Sequence, residues 1–249
     1  MNDRHDSKLN FLIILIFMLS CNTRQIENES KGNSNTDTIS DKTVLVDTIS
    51  ICPEIVETFV DSLSIGRKGE TKIELIKHSV FDEIYVIVKF YTKGPDYWYH
   101  QNTYLYEGTS LMGFEPQISD FNNDKFNDIT FISATAARGA NEVRRLFIYD
   151  DQEKKLISIL NSEDYPNMQY NKELDCIDAF LVHGASTTVF AKIINDSLKT
   201  FAYVENNIDF HTIFIVDKNG SEKQLNKVKS KGIYVRFKNF KPLEVYVKE

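Results

Sequence analysis

Short runs in which apolar and polar residues alternate dominate the chain from Thr43 onward. The clearest are 71-TKIELIKHS-79, 84-IYVIVKFYT-92, 129-ITFIS-133, 145-RLFIYD-150, 187-TTVFAKII-194, 198-LKTFAYV-204 and 212-TIFIV-216. Shorter pieces of the same kind are 102-NTYLY-106, 155-KLISIL-160, 233-IYVRF-237 and 244-EVYVK-248. They are rich in β-branched and aromatic residues, and a period of two buries one face of a strand. Turn-forming pairs separate them: Asp150-Asp151, Gly184-Ala185, Asn195-Asp196, Asn206-Asn207 and Asn219-Gly220. Only Glu54–Leu63 has the spacing of a short helix. The pattern predicts an all-β, antiparallel, hairpin-rich single domain over residues 43–249, as a sandwich, a barrel or an irregular propeller-like meander. No unit repeats along the chain, which argues against a many-bladed propeller built from copies.

The N-terminal stretch reads differently. A polar start is followed by the apolar run 11-FLIILIFML-19, then Ser20 and Cys21. That run is shorter than the roughly 20 residues of a spanning helix and has the length of a signal-peptide core. A cysteine directly after Met18, Leu19 and Ser20 resembles the lipobox of bacterial lipoproteins, in which that cysteine receives the lipid. The readings set beside it are an ordinary secretory signal with an incidental cysteine, and a short uncleaved anchor. On the lipoprotein reading residues 1–20 are signal peptide, Cys21 joins the chain to the bilayer, and Asn22 at the following position points to the outer membrane. Residues 21–42 are almost wholly polar and predict a flexible tether with a reach of several tens of Å.

Charge narrows the partners. The formal net charge is −7, and the leader is neutral, with Arg4 and Lys8 against Asp3 and Asp6. An acidic chain without a basic run is poorly suited to nucleic acid or to an anionic lipid surface, so membrane attachment would be by covalent lipid alone. Cys52 and Cys176 are the remaining cysteines. In an exported protein they can form a disulfide or remain two buried thiols.

One loop concentrates acid: 120-DFNNDKFNDITF-131. Side chains of Asp120, Asn122, Asp124 and Asp128, with the carbonyl of Phe126, occupy positions 1, 3, 5, 9 and 7 of a cation loop. Calcium takes six to eight oxygens in loose geometry. A divalent ion would also relieve the repulsion among three carboxylates. Position 12 is Phe131 rather than a bidentate glutamate, and the chain enters a strand instead of a helix, so this is not an EF-hand. It resembles the calcium loops of integrin-type and related bacterial β repeats. Lys125 stands at position 6, where a sharp turn favours glycine. The competing reading is an Asx-rich turn closed by its own side chains.

Past this loop come the small-residue loop 133-SATAARGAN-141, the strand 145-RLFIYDDQEKKL-156, the connection 163-EDYPNMQYNKELDCI-177 and the hairpin 183-HGASTTVFAKIINDSLKTFAYV-204. This order resembles periplasmic lysozyme-inhibitor-like bacterial lipoproteins, over about Asp120–Val204. The resemblance implies an immunity protein that blocks a peptidoglycan hydrolase by a loop entering its cleft. Ser133–Asn141, with Arg138 and Asn141, is the nearest counterpart of that loop by position.

Other features weigh less. The stretch 97-YWYHQNTYLY-106 holds the only tryptophan. Tyr104 and Tyr106 read as core packing, whereas Tyr97 and Trp98, after the Gly94-Pro95 turn and beside Tyr99, are the candidates for exposure to a partner or a glycan. Ser186 beside His183 lacks the G-x-S-x-G elbow and reads as a tight turn. The five histidines are scattered, which gives no zinc pattern. The sequence therefore points to a lipid-anchored, calcium-containing, non-enzymatic envelope protein with a protein partner. Glycan binding ranks second and a hydrolase last.

Overall fold

The computed structural model describes residues 53–246. By its contacts the chain divides into Met1–Cys52 and Pro53–Glu249, and the second unit is the body described below. The expected signal peptide, Cys21, the tether and Cys52 lie outside the described residues. So does the beginning of the expected domain, 43–52.

The body is antiparallel β throughout. Sheet 1 contains β1 (Glu54–Asp61), β2 (Thr71–Val80), β3 (Glu83–Lys93) and β4 (Trp98–Glu107) in chain order. Sheet 2 contains β5 (Gln117–Ser119), β6 (Asp128–Ala136), β7 (Asn141–Asp150) and β8 (Lys155–Ser158), again in order. Sheet 3 runs β14 (Glu222–Lys229), β13 (Phe210–Val216), β12 (Ser197–Asn206), β11 (Ser186–Ile194), β10 (Cys176–Val182), β9 (Gln169–Asn171). A last hairpin pairs β15 (Phe237–Phe240) with β16 (Leu243–Val245). Among the described residues no helix is long and apolar enough to cross a membrane.

The sheets stack face to face, and alternation within each strand feeds two cores at once. Ile73, Leu75, Val86, Val88 and Phe90 of sheet 1 meet Ile129, Phe131, Phe147 and Tyr149 of sheet 2. The opposite face of sheet 2, through Leu146 and Ile148, packs on Ile177, Ala179, Ala191 and Leu198 of sheet 3. The far face of sheet 3, with Phe190, Ala202, Val204 and Ile213, is covered by Phe237, Phe240 and Leu243. Each apolar side chain removed from water into these three cores is worth about 1.5–3 kcal/mol. Among the described residues all three cores draw their members from this body, and the chain's contacts divide at Cys52/Pro53, which makes Pro53–Glu249 a self-contained unit. Among the architectures open at the sequence level, this is a stack of meanders with no closed barrel.

Several elements differ from expectation, β14 among them, which has no counterpart in the sequence pattern. Glu54–Leu63 is not a helix but mostly the edge strand β1. A register shift between Ile55 and Glu57 inserts an extra residue. That breaks the period of two and leaves helix-like spacing in a β-branched segment. The stretch 233–236 is not a strand. Its carbonyls are bound by side chains of sheet 3, with Ser186 Oγ donating to Ile233 O and Asn206 Nδ2 to Val235 O, both at 2.7 Å. The connection 163–177 contains β9 and the start of β10.

Candidate functional site

The acidic loop joins β5 to β6 and is closed by its own side chains. Asp120 accepts from the backbone N–H of Asp124 (3.1 Å) and of Lys125 (2.9 Å). Asp124 accepts from Phe126 N (2.8 Å) and from Asn122 Nδ2 (2.9 Å). Asn123 and Lys125 take left-handed backbone, φ 61° and 79°, so the lysine does occupy the turn position that favours glycine. The loop is braced by the segment after β1. Gly66 N donates to Asn127 O at 2.8 Å, and Asn127 Nδ2 to Ser64 O at 3.0 Å. Gly66 has φ 59°, and an added Cβ would lie 2.9 Å from the Tyr149 ring, so only glycine fits.

Asp128 is the buried member, 0 % exposed, and its carboxylate ties two strands to the loop. One oxygen accepts from Phe121 N (2.8 Å) and the other from Tyr149 N (2.9 Å). Burial pushes its carboxyl up to about 8; these two N–H groups pull the other way, while the charges of Asp124 and Asp120 add to the rise. Each oxygen of Asp120, Asp124 and Asp128 keeps acceptor capacity beyond the bonds described. The donor set is all-oxygen and carboxylate-rich, which suits a hard cation such as calcium. Among the described residues, no three His, Cys, Asp or Glu side chains are arranged as a ready metal cage. Next to the loop, Arg67 pairs with Asp151 through Nε (2.5 Å) and Nη2 (2.7 Å), and Lys154 adds a contact at 2.7 Å. These cations hold the Asp151 carboxyl well below the usual range.

At the other end of β6 the chain turns over an exposed tip. Ala137, Arg138 and Gly139 are consecutively left-handed, with φ 50°, 58° and 88°. Arg138 is the one charged side chain there, exposed among small residues. Left-handed backbone costs a non-glycine residue about 1 kcal/mol, so this tip is held rather than relaxed. Its base is clamped to β10: Asn141 accepts from Val182 N (2.9 Å) and donates to Val182 O (3.0 Å). Asn167 donates to Ala140 O (3.0 Å) and Phe180 O (2.7 Å), and accepts from Glu142 N (3.0 Å). Asn141 thus positions the tip, leaving Arg138 to project from it.

The aromatic candidates divide as well. Tyr104 and Tyr106 pack on Phe147 with ring centroids 5.3 and 5.9 Å away, as core residues. Tyr97 and Tyr99 are exposed, 60 % and 42 %, with centroids 4.5 Å apart. Trp98, expected in the exposed pair, is half-buried as the first residue of β4, and Lys72 Nζ lies 5.7 Å from its ring and 4.1 Å from that of Tyr91. The structure does not bring the five candidate contact residues together. Lys93 of β3, paired with Trp98 of β4, bonds through its N–H to Glu70 O beside the acidic-loop end, whereas Arg138 and Asn141 lie a strand length away, about 25 Å.

The remaining sequence signals resolve plainly. Gly184, φ 85°, makes the tight turn between β10 and β11. His183 reaches Thr187 Oγ1 at 2.9 Å, while buried Ser186 is hydrogen-bonded to Ile233 O and Asn206. Cys176 is buried, its thiol pushed up to about 12 by burial, and among the described residues it has no disulfide partner. Sequence reading missed Asn167, which clamps the tip, and Tyr234, whose exposed ring reaches Gly184 O at 3.4 Å. A lone asparagine in a long connection gives no signal of its own. The fold is thus an all-β antiparallel domain of stacked meanders.

No family model and no curated protein matches the chain. Among solved structures it is similar to that of a Xanthomonas type IV secretion system related protein, with 10 % identity, 71 % of this chain and 98 % of that chain covered, and a TM-score of 0.45.

Proposed function

We propose that this protein is a lipid-anchored envelope protein, tethered through Cys21, whose β body carries a structural calcium ion and binds and inhibits a cell-wall hydrolase through the β6–β7 tip. The observation that carries this reading is the tip itself. Arg138 projects from a strained backbone whose base is pinned by Asn141 and Asn167. A pre-ordered loop loses little entropy on binding. A guanidinium among small residues is shaped to enter an acidic cleft and pair with carboxylates. Asp120, Asn122, Asp124, Asp128 and the Phe126 carbonyl would hold the calcium, which would fix the entry into β6.

The test is inhibition of muramidases and amidases from envelope extract by the purified body, with Arg138→Ala alongside. Loss of inhibition with unchanged melting temperature is expected. Inhibition undiminished in that variant, or none by the parent against any such enzyme, overturns the proposal. A second reading, glycan binding, is favoured by the exposed Tyr97–Tyr99 pair and by Lys72 over the Tyr91 and Trp98 rings. Quenching of Trp98 fluorescence by soluble peptidoglycan, abolished in Tyr99→Ala, would favour it over the first.

A further inference from the structure

The acidic chain has one basic edge. Lys218, Lys223, Lys227, Lys229 and Lys231 fall within fourteen residues that hold a single acid, Glu222. Among the described residues none of the five is in an ion pair. Lys223, Lys227 and Lys229 lie on β14, the outermost strand of sheet 3, which is exposed on both faces except at Val228, and Lys218 and Lys231 flank it. Lysine on an edge strand discourages pairing with other chains, and that accounts for the charges alone. It does not account for the apolar groups among them. Ile208, in the β12–β13 turn, is 84 % exposed, the most exposed large apolar side chain among the described residues, and Phe210 beside it is 39 % exposed.

The register gathers these residues at one corner. Phe210 is paired with Lys229, and Lys227 Nζ lies 4.0 Å from the Phe210 ring centroid. Ser230 N bonds to Asp209 O at 2.8 Å and Lys231 N to His211 Nε2 at 2.9 Å, which holds the Ser230–Lys231 segment against the same turn. An apolar tip is thereby collared by Lys227, Lys229 and Lys231, with Asp209 the acid within the collar and Glu205 on the neighbouring strand.

We propose that this corner rests on an anionic phospholipid surface, Ile208 and Phe210 entering the headgroup layer and the lysines meeting the phosphates. Apolar side chains with a lysine collar are how peripheral elements hold to such surfaces. On this proposal the corner would add a second attachment to the covalent lipid expected at Cys21. β14 lies four strand spacings, about 19 Å, from β10, where the Arg138 tip is clamped, so the two surfaces are separate. The inference does not depend on the hydrolase reading.

The experiment is flotation of residues 53–249, which lack both leader and lipid, with vesicles of phosphatidylglycerol and phosphatidylethanolamine, and with phosphatidylcholine as control. Binding to the anionic vesicles alone, weakening as salt rises, is expected. Replacing Lys227, Lys229 and Lys231 by glutamine should weaken it about a hundredfold, from about fivefold per lysine. Ile208→Ser, at a position that makes no core contact, should weaken it about tenfold. Equal binding to phosphatidylcholine, or no binding at low salt, overturns the proposal. Loss in the lysine variant with none in Ile208→Ser also overturns it, since that pattern describes attraction to any anionic polymer. Unchanged far-ultraviolet circular dichroism and melting in each variant shows that the body remains folded.

Discussion

Replacing Asn167 tests whether the tip is held or merely drawn as a loop. Its side chain makes three bonds to backbone: to Ala140 O (3.0 Å), to Phe180 O (2.7 Å) and from Glu142 N (3.0 Å). Asn167 itself is left-handed, φ 53°, a conformation asparagine tolerates better than alanine. In Asn167→Ala the three bonds are worth about 1 kcal/mol each, and water reaches this half-buried position well enough to return about a third of that. The strained backbone adds about 1 kcal/mol. The sum is about 3 kcal/mol, or about 6–12 °C in melting temperature for a body of roughly two hundred residues. Asn167→Gly removes the bonds but not the backbone preference, so it should lose about 1 kcal/mol less than alanine does. Asn167→Asp keeps an acceptor for Glu142 N yet turns carboxylate oxygens toward two carbonyls, and should be no better than alanine. Urea denaturation gives the stabilities, and amide exchange at Ala140 and Glu142 shows whether the tip has loosened. A loss under about 1 kcal/mol, or exchange unchanged in Asn167→Ala, refutes the clamp.

Three further outcomes follow from the same structure. Arg236→Ala strips the guanidinium from Asp178, which is 0 % exposed and also accepts from Asn171 (3.2 Å), and should destabilise by about 3–5 kcal/mol in urea denaturation, the range for a stranded buried charge; a loss under about 1 kcal/mol would mean that water reaches the carboxylate. His211 is held below its ordinary value of 6.5 by burial and by Lys231, so its neutral form is the one the fold favours. Its contribution is complete above about pH 6.5 and is lost as pH falls toward the lowered value, so His211→Gln should lose less stability than the parent between pH 7.5 and 5.5; parallel losses would contradict this, and comparing the two proteins at each pH cancels what other groups contribute. Calcium at ten times its dissociation constant should add about 1.4 kcal/mol, about 3–6 °C, and Asp124→Asn should shrink that shift; equal melting with calcium and with chelator would remove the metal from the account.

What could be read from the sequence depended on whether a segment buries one face. β2, β3 and β12 keep their alternation in the sequence, β7 is buried on both faces and shows instead as the apolar run 146-LFIY-149, and the turns at Asn195 and Gly220 are left-handed as their residue types suggest. β14 was invisible because neither face is covered: 222-EKQLNKVK-229 has no apolar stripe, and only β13's free hydrogen bonds make it a strand. The segment at 233–236 failed in the opposite way. Its residues alternate like a strand, but its backbone partners are side chains far away in sequence, Ser186 and Asn206. The acidic loop was legible because all its donors lie within nine residues. The clamp of Asn167 and Asn141 was not, since asparagine between turn residues looks the same whether or not it holds a distant carbonyl.

These failures share a physical origin that bears on function. Some buried polar side chains here pair with one another, as Asn171 does with Asp178 and Ser186 with Asn206, but several also bond to backbone in the connections between sheets. Asp128 holds Phe121 and Tyr149, Asn167 holds the tip, and Asn206 and Ser186 hold the segment before β15. A stack of separate meanders leaves irregular chain wherever one sheet hands over to the next, and each unpaired amide or carbonyl there costs free energy if water is excluded. Side chains reaching across layers satisfy those groups and at the same time fix where the connecting loops point. The loops so fixed are those that carry the candidate chemistry, the acidic loop and the Arg138 tip. Removing such a tie should therefore loosen one loop while its sheets stay paired, whereas removing a core ring such as Phe147 should cost about 3–5 kcal/mol and weaken every loop together.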